Sequence, residues 1–206
     1  MNLKKGYFIT FEGIDGCGKT TQMELLADYL RDVKDVAVIE TREPGAKGLG
    51  EKIRGLLLDY DGEVSPQCEM FLFLADRAQN IDMIVNPAVE SRKIVLCDRH
   101  TDSTIAYQGY GRGLDIEELT TLNSLATRHR KPDLTIIFDV DVQTSLCRMG
   151  KEHDRIEAEG AEFLNSVRNG YLTIAKMEPD RVKVIDATRS IDEIHNDVVN
   201  LVEKLF

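Results

Sequence analysis

The most constraining stretch of this chain is a glycine-rich segment near its start, Gly13-Ile14-Asp15-Gly16-Cys17-Gly18-Lys19-Thr20. It follows an apolar alternating run over residues 7–11 and leads into a helical pattern of apolar residues. A strand, a glycine-rich turn and a helix in this order form a cradle of backbone N–H groups for phosphates, and the helix N-terminus adds positive charge. The lysine of such a loop reaches the β- and γ-phosphates, and the hydroxyl after it can ligate Mg²⁺. The segment therefore predicts a nucleoside triphosphate site.

Five short β-branched runs recur along the chain, and helical patterns separate them. The runs cover residues 7–11, 36–40, 94–97, 134–140 and 182–185. Strands that alternate with helices predict a parallel sheet covered on both faces, with ligands outside the carboxyl ends of the strands. We predict a three-layer α/β P-loop NTPase fold with a five-stranded parallel sheet flanked by helices. The 206 residues suffice for one domain, 1–206, with a core that needs neither disulfides nor metal.

The charge of the chain is acidic, since 36 Asp and Glu oppose 26 Lys and Arg and give a formal net charge of −10. An acidic chain is a poor candidate for sequence-independent nucleic-acid binding, which depends on neutralising phosphates. The first residues are too few and too polar for a signal peptide, and no apolar run approaches the ~20 residues that span a bilayer. We therefore expect a cytoplasmic protein that binds neither nucleic acid nor membrane.

The four cysteines lie far apart, and none belongs to a C-x-x-C pair. This spacing favours reduced thiols in the cytosol over a zinc site or a disulfide framework. Cys17 lies at the predicted N-terminus of a helix, where the pKa of a thiol tends to fall. We therefore expect Cys17 to be a reactive thiol.

Polar residues follow the second and third predicted strands. Arg42 lies just past the second strand, in Thr41-Arg42-Glu43-Pro44-Gly45, although an arginine on a solvated loop is equally expected there. The third strand ends at Asp98, which in a P-loop protein is the position that holds Mg²⁺ directly or through water. Arg99 follows immediately and could bind a phosphate with two hydrogen bonds. Thr20 and Asp98 are therefore the predicted metal ligands.

Two further stretches carry side chains that suit a flat heterocycle. Phe73 and Arg77 lie one turn apart on a predicted helix over residues 64–89, where the ring can stack and the guanidinium can donate to a carbonyl oxygen. A core phenylalanine beside a surface arginine is the more ordinary interpretation of that pair. The second stretch could read a base edge and close a sugar pocket, or it could be a capped helix followed by a loop. Its polar and aromatic residues are Ser103, Thr104, Tyr107 and Gln108.

A basic segment follows the fourth strand, at about residues 148–157. Arg148, Lys151 and Arg155 lie within eight positions between two helical patterns. Such a segment is typical of a short lid that closes over phosphates, although an ordinary charged surface loop has the same composition.

Taken in order, these motifs resemble the thymidylate kinase family, whose bacterial-type members make dTDP from dTMP and ATP. The resemblance covers essentially the whole chain, and several segments carry it jointly. They are Phe11-Glu12-Gly13-Ile14-Asp15-Gly16, Thr41-Arg42-Glu43-Pro44-Gly45, Phe73-Leu74-Ala75-Asp76-Arg77, Asp98-Arg99-His100, Ser103-Thr104 through Tyr107-Gln108-Gly109, and Asp154-Arg155-Ile156-Glu157.

The resemblance implies a role for each matching residue. Phe73 would stack on thymine, and Arg77 would donate to its O4 atom. The other residues implied to bind dTMP are Asp15 near the sugar 3′-hydroxyl, Arg42 and Arg99 at the phosphate, Thr104 and Gln108 along the base edge near N3 and O2 with Ser103 in the same segment, and Tyr107 at the sugar. Those implied to bind ATP are Gly13, Ile14, Asp15, Gly16, Cys17, Gly18, Lys19, Thr20 and Thr21, with Arg148 and Arg189 flanking adenine. Catalysis would fall to Lys19, Arg99, Asp15 and a lid cation, Arg155 or Lys151, with Mg²⁺ bound and the protein a homodimer.

The chemistry of the acceptor separates this reading from its alternatives. The second pKa of a phosphate monoester is about 6, so the attacking oxygen is already ionised near neutral pH and no general base is expected. A deoxynucleoside kinase phosphorylates a neutral hydroxyl and therefore needs a general base. That activity, or a nucleoside monophosphate kinase with another base preference, is the alternative. A GTP-binding switch is less favoured, because no Asn-Lys-x-Asp guanine signature occurs in the chain.

Overall fold

A computed structural model describes residues 3–149, 156 and 159–206. In it, five parallel strands form one sheet in the order β2-β3-β1-β4-β5. The strands are β1 (Tyr7–Glu12), β2 (Val38–Arg42), β3 (Ile94–Asp98), β4 (Leu134–Asp139) and β5 (Val182–Asp186). The five predicted strands are confirmed. The second begins later than expected because the N–H group of Val36 donates to the carbonyl of Leu30 and not to the sheet.

Helices connect the strands and lie against the sheet. They are α1 (Lys19–Asp28), α2 (Leu49–Leu58), α3 (Pro66–Asn80), α4 (Asn86–Glu90), α5 (Thr101–Thr104), α6 (Ile116–Ala126), α7 (Val142–Met149), α8 (Ala161–Met177) and α9 (Ile191–Glu203). Three of them, α1, α3 and α5, continue as π-helical turns over Tyr29–Val33, Ile81–Val85 and Ile105–Gly111. Such turns are frequent at functional sites, and the last one carries the predicted base-edge residues. None of the helices in the described ranges is sufficiently long and apolar to cross a bilayer.

Alternation along β1 divides the apolar core between the two faces of the sheet. Phe8 packs with the turn over Ile81–Val85, while Ile9 and Phe11 belong to the larger cluster that includes residues of α1, α8 and α9. The sheet is therefore covered on both faces, which confirms the predicted three-layer α/β architecture.

The parallel arrangement brings the ends of three neighbouring strands to one edge of the sheet. Phe11 and Arg42 are both in register with Asp98, so the segments that follow β1, β2 and β3 start side by side. These are the glycine-rich loop, the loop after Arg42 and the Asp98-Arg99 pair. The fold thus collects the predicted polar residues at the carboxyl edge of the sheet.

The stack of Phe11 on Phe138 is the apolar support beneath this edge. The two rings lie 5.8 Å apart between centroids, nearly parallel, and both are buried. We expect Phe138→Ala to lower the free energy of unfolding by about 3–5 kcal/mol, because a cavity replaces the ring. Urea-induced unfolding followed by circular dichroism measures the change.

The matched control is Met177→Ala on α8, whose side chain is 74% exposed. It is expected to change the free energy of unfolding by no more than about 0.5 kcal/mol. A loss of less than about 1 kcal/mol for Phe138→Ala would contradict the supporting role of the stack.

Candidate active site

The glycine-rich loop packs directly against the backbone of two other segments. A Cβ atom on Gly13 (φ +141°) would lie 2.7 Å from the carbonyl oxygen of Phe138, and one on Gly16 (φ +72°) would lie 2.6 Å from that of Ser145. Ser145 Oγ also donates to the carbonyl of Asp15 at 2.6 Å. Only glycine fits such close approaches at positive φ. Helix α1 begins directly after this loop, so its N-terminus faces whatever the loop encloses.

A cavity of about 760 Å³ opens beside the loop and gathers most of the predicted site. The predicted residues that line it are Asp15, Lys19, Thr20, Arg42, Phe73, Arg77, Asp98, Arg99, Ser103, Thr104, Tyr107 and Gln108. The predicted residues that do not line it are Gly13, Ile14, Gly16, Cys17, Gly18, Thr21, Arg148 and Arg189. Arg155 and Lys151 lie outside the described residues. Ile156, from the predicted lid, is buried and lines the cavity.

Asp15 lies between two cations at the loop end of the cavity. Its Oδ1 atom accepts from Lys19 Nζ at 3.2 Å and from Arg99 Nη2 at 2.6 Å. Burial acts to raise the pKa of Asp15, but Arg99 and Lys19 together hold it well below its usual range. Asp15 therefore stays ionised at neutral pH and positions the two cations without acting as a base.

Further contacts fix the guanidinium of Arg99. Nη1 donates to the carbonyl of Gly13 at 3.0 Å and to the hydroxyl of Tyr171 at 3.2 Å, and Nη2 donates to the hydroxyl of Tyr107 at 3.1 Å. The guanidinium also lies 4.9 Å above the ring of Tyr107. Arg99 is thus held in one orientation at the cavity wall before any ligand arrives.

Behind Arg99 lies a buried network that the sequence analysis missed. Glu12 is fully buried and accepts from Ser103 Oγ at 2.6 Å, from the Tyr171 hydroxyl at 3.0 Å and from the N–H group of His100 at 2.7 Å. Desolvation raises the pKa of Glu12 to about 7. An acid at the end of a buried strand was the available signal for Glu12. Tyr171 had none, because its position in α8 matches an ordinary core pattern.

Thr20 and Asp98 meet where a metal bound to a triphosphate is expected. Thr20 Oγ1 donates to Asp98 Oδ2 at 2.9 Å. The other carboxyl oxygen, Asp98 Oδ1, is buried and has no hydrogen-bond partner among the described residues. Mg²⁺ takes oxygen ligands from carboxylates and hydroxyls, so this unpartnered oxygen beside a hydroxyl fits the ion.

Arg77 is buried at the other end of the cavity, with 1% of its side chain exposed. Nε donates to Glu43 at 2.8 Å, and Nη2 donates to the carbonyl of His100 at 2.9 Å. Nη1 donates to Thr104 Oγ1 at 2.7 Å and to Asn123 Oδ1 at 2.6 Å. These bonds use four of the five N–H protons and leave one on Nη2. The alternative in which Arg77 is a surface arginine is therefore wrong.

Glu43 is the centre of this second cluster. Besides Arg77, its carboxylate contacts Nδ1 of His100 at 3.1 Å and accepts from Asn80 Nδ2 at 2.8 Å. Burial acts to raise the pKa of Glu43, but His100 and Arg77 lower it to about 2. Glu43 is consequently ionised and fixes the arginine that faces the cavity beside half-buried Phe73.

Arg42 differs from the other arginines of the cavity because it is exposed. It lines the cavity at the end of β2, and its side chain forms no hydrogen bond or ion pair with a described residue. Among the described residues, none therefore competes with an anionic ligand for this guanidinium.

Arg148 and Arg189 both contact the segment that follows β5. Arg148 Nη1 donates to the carbonyl of Ala187 at 3.1 Å. Arg189 Nε donates to the carbonyl of Asp186 at 3.2 Å, and its guanidinium pairs with Asp197. The structure thus brings these two arginines to one segment beyond the cavity, and their predicted place beside adenine stays a prediction.

Cys17 corrects the expectation of a reactive thiol. Its side chain is buried, and burial raises the pKa of the thiol above its usual value despite the neighbouring Lys19. The prediction of a lowered pKa is wrong because desolvation outweighs the helix N-terminus. All four cysteines are free thiols.

Comparison with known proteins gives consistent matches over nearly the whole chain. The family profile described as Thymidylate kinase matches residues 11–198. A thymidylate kinase from Kosmotoga olearia is 46% identical over 194 residues, which cover 93% of this chain and 93% of that protein. One from Pelotomaculum thermopropionicum is 46% identical over 205 residues, 98% of this chain and 94% of that protein. The crystal structure of thymidylate kinase from Ehrlichia chaffeensis matches with a TM-score of 0.81 at 40% identity, covering 97% of this chain and 99% of that chain.

The burial of Cys17 predicts selective alkylation. At neutral pH, iodoacetamide should modify the exposed thiols of Cys68 and Cys147 at least about tenfold faster than Cys17, because the thiolate is the reacting form. Peptide mass spectrometry over a time course measures the rates, and buried Cys97 is the internal control. Alkylation of Cys17 as fast as Cys68 in the folded protein would contradict the raised pKa.

Proposed function

Because this chain belongs to the thymidylate kinase family, we propose that it transfers the γ-phosphoryl group of ATP to dTMP, giving dTDP and ADP for dTTP synthesis. The observation that carries this proposal is the cavity itself. One end presents Lys19 and Thr20 of the glycine-rich loop, and the other presents the buried Arg77 beside Phe73. Such a cavity suits a triphosphate and a nucleotide bound end to end.

On the donor side, the glycine-rich loop and the first turn of α1 bind the triphosphate of ATP. The residues proposed for this are Gly13, Ile14, Asp15, Gly16, Cys17, Gly18, Lys19, Thr20 and Thr21, with Arg148 and Arg189 flanking adenine. The positive φ of the glycines and the start of α1 support the phosphate role. Arg155 is proposed as the lid cation, and Ile156 at the cavity wall supports a lid on that side.

On the acceptor side, the base and the phosphate are bound by separate groups. Phe73 stacks on thymine, and the remaining Nη2 proton of Arg77 is donated to O4. Thr104 and Gln108 lie along the base edge, and Tyr107 lies at the sugar. Ser103 lies with Thr104 and Gln108 at the base edge. Arg42 and Arg99 bind the phosphate, and Asp15 lies near the 3′-hydroxyl.

The reaction then requires positioning more than proton transfer. The attacking phosphate oxygen is already ionised near neutral pH, and Asp15 is held ionised by Lys19 and Arg99. These two cations bring two anions that repel one another into line and take up the charge of the transition state. An arginine finger, the role proposed for Arg155 of the lid, contributes roughly 10³–10⁵ in rate.

Thr20 and Asp98 are the residues that would hold Mg²⁺. When bound, the ion would neutralise the charge of the triphosphate. The unpartnered Oδ1 atom of Asp98 supports this assignment.

We further propose a single catalytic domain that acts as a cytoplasmic homodimer and binds neither nucleic acid nor membrane. Large apolar side chains on neighbouring helices support self-association, namely Leu56 on α2, Phe71 on α3 and Leu125 on α6, each more than half exposed. The four free cysteines support a reducing compartment.

The proposed activity predicts the order of acceptors in a coupled assay of ADP release. With ATP as donor, dTMP should be turned over fastest among dTMP, dUMP, dCMP, dGMP and thymidine. Thymidine should be inactive because it offers no phosphate to Arg42 and Arg99. Preference for thymidine would favour a deoxynucleoside kinase, and preference for another nucleotide would change the assigned base. Slow GTP hydrolysis without any acceptor would favour a switch protein.

The exposure of Arg42 predicts that its substitution changes the KM for dTMP and not the KM for ATP. Arg42→Gln should raise the KM for dTMP by roughly 10- to 100-fold, the equivalent of one lost charged hydrogen bond, and leave the KM for ATP unchanged. Arg31→Gln is the matched control, because Arg31 is partly exposed, pairs with Glu40 and does not line the cavity. Equal effects of Arg42→Gln on both substrates would contradict the phosphate role.

A further inference from the structure

The side-chain amide of Gln108 is held by a buried acid from another helix. Gln108 is 2% exposed and lines the cavity, and its Nε2 atom donates to Oε1 of Glu69 at 3.0 Å. Glu69 lies on α3 with 1% of its side chain exposed, whereas Gln108 lies on the π-helical turn after α5. The contact therefore joins two elements that both border the cavity.

The carboxylate of Glu69 determines whether the oxygen or the nitrogen of the Gln108 amide faces it. An amide can present either its oxygen or its nitrogen, but an ionised carboxylate only accepts hydrogen bonds. Glu69 forms an ion pair with Arg112, in which Nε lies 3.2 Å from Oε1 and Nη2 lies 3.2 Å from Oε2. The nitrogen of Gln108 must consequently face Glu69, and its Oε1 atom receives no hydrogen bond from a described residue.

We propose that Glu69 is a specificity-determining positioning residue, which orients Gln108 so that Oε1 accepts the N3–H group of thymine and rejects cytosine. This inference rests on the proposed function. Thymine and uracil carry a donor at N3 and an acceptor at O4, whereas cytosine carries an acceptor at N3 and an amino donor at C4. Arg77 reads O4, and Gln108 oriented by Glu69 reads N3. Neither group reads the 5-methyl substituent.

The test compares two ratios of kcat/KM in the Glu69→Gln variant. An amide at position 69 can both donate and accept, so Gln108 is free to turn its nitrogen towards the base. We expect the dTMP-to-dCMP ratio to fall by at least about tenfold, and Arg77 to maintain the remainder. The dTMP-to-dUMP ratio should stay unchanged, because both bases carry N3–H and O4. Each ratio is taken within one protein sample, so the folded fraction cancels.

A second variant guards against failure of Glu69→Gln to fold. Glu69→Met removes both acceptor oxygens and replaces them with an apolar side chain of similar size. Arg112 retains Glu159 as its partner in either variant. Glu69→Met is expected to lower the dTMP-to-dCMP ratio and to leave the dTMP-to-dUMP ratio unchanged.

Two controls separate orientation of Gln108 from general loosening. Asp102→Asn disturbs another buried carboxylate, which pairs with Arg181 at 2.7 Å and does not line the cavity, and it should leave both ratios unchanged. In a Gln108→Met background, Glu69→Gln should have no further effect on the dTMP-to-dCMP ratio, because Glu69 acts through Gln108.

The inference is overturned by an unchanged dTMP-to-dCMP ratio in the Glu69 variants. It is also overturned when both ratios fall together, or when Glu69→Gln lowers the dTMP-to-dCMP ratio further in the Gln108→Met background. A failure of the proposed function is distinguishable, because the unmodified chain would then not use dTMP as its preferred acceptor.

Discussion

Lys19 and Arg99 both donate to one oxygen of Asp15, so two cations that repel one another are held at the same edge of the cavity. Without that carboxylate, the pair would separate or recruit counterions from solvent, and neither would face a phosphate in a fixed direction. Holding these two cations close together would be costly if all the acids of the chain, whose net charge is −10, lay elsewhere. Here one acid is placed between the cations, and its low pKa keeps it charged.

The same rule builds the base end of the cavity, where buried Glu43 holds Arg77. Three acids lie at or just after the ends of adjacent parallel strands, namely Glu12 on β1, Glu43 after β2 and Asp98 on β3. Parallel register places these strand ends side by side, so the sheet delivers its acids to one edge. Each acid then fixes a donor at the cavity wall: Glu12 fixes Ser103 and Tyr171 behind Arg99, Glu43 fixes Arg77, and Asp98 accepts from Thr20.

Local patterns were enough to predict the sheet, the glycine-rich loop and twelve of the residues that line the cavity. These features follow from the period of a strand, the φ of a glycine and the end of a parallel strand, each readable within a few residues. The supporting contacts were not predictable, because Glu12 and Tyr171 are 159 positions apart and Glu69 and Gln108 are 39 apart. The predicted reactivity of Cys17 was wrong for the same reason, since the pKa of its thiol depends on burial by other segments more than on the nearby N-terminus of α1.

Recognition of the acceptor base depends on how groups that can either donate or accept a hydrogen bond are fixed in one of these two roles. An arginine only donates and a carboxylate only accepts, whereas hydroxyls and amides can do both. In this cavity two such groups are bonded to unambiguous ones: Thr104 accepts from Arg77, and Gln108 donates to Glu69. Under the proposed function, the polarity that a base meets is therefore set one layer behind the side chains that line the cavity. Base discrimination would then change through residues such as Glu69, which does not line the cavity, while the shape of the cavity stays the same.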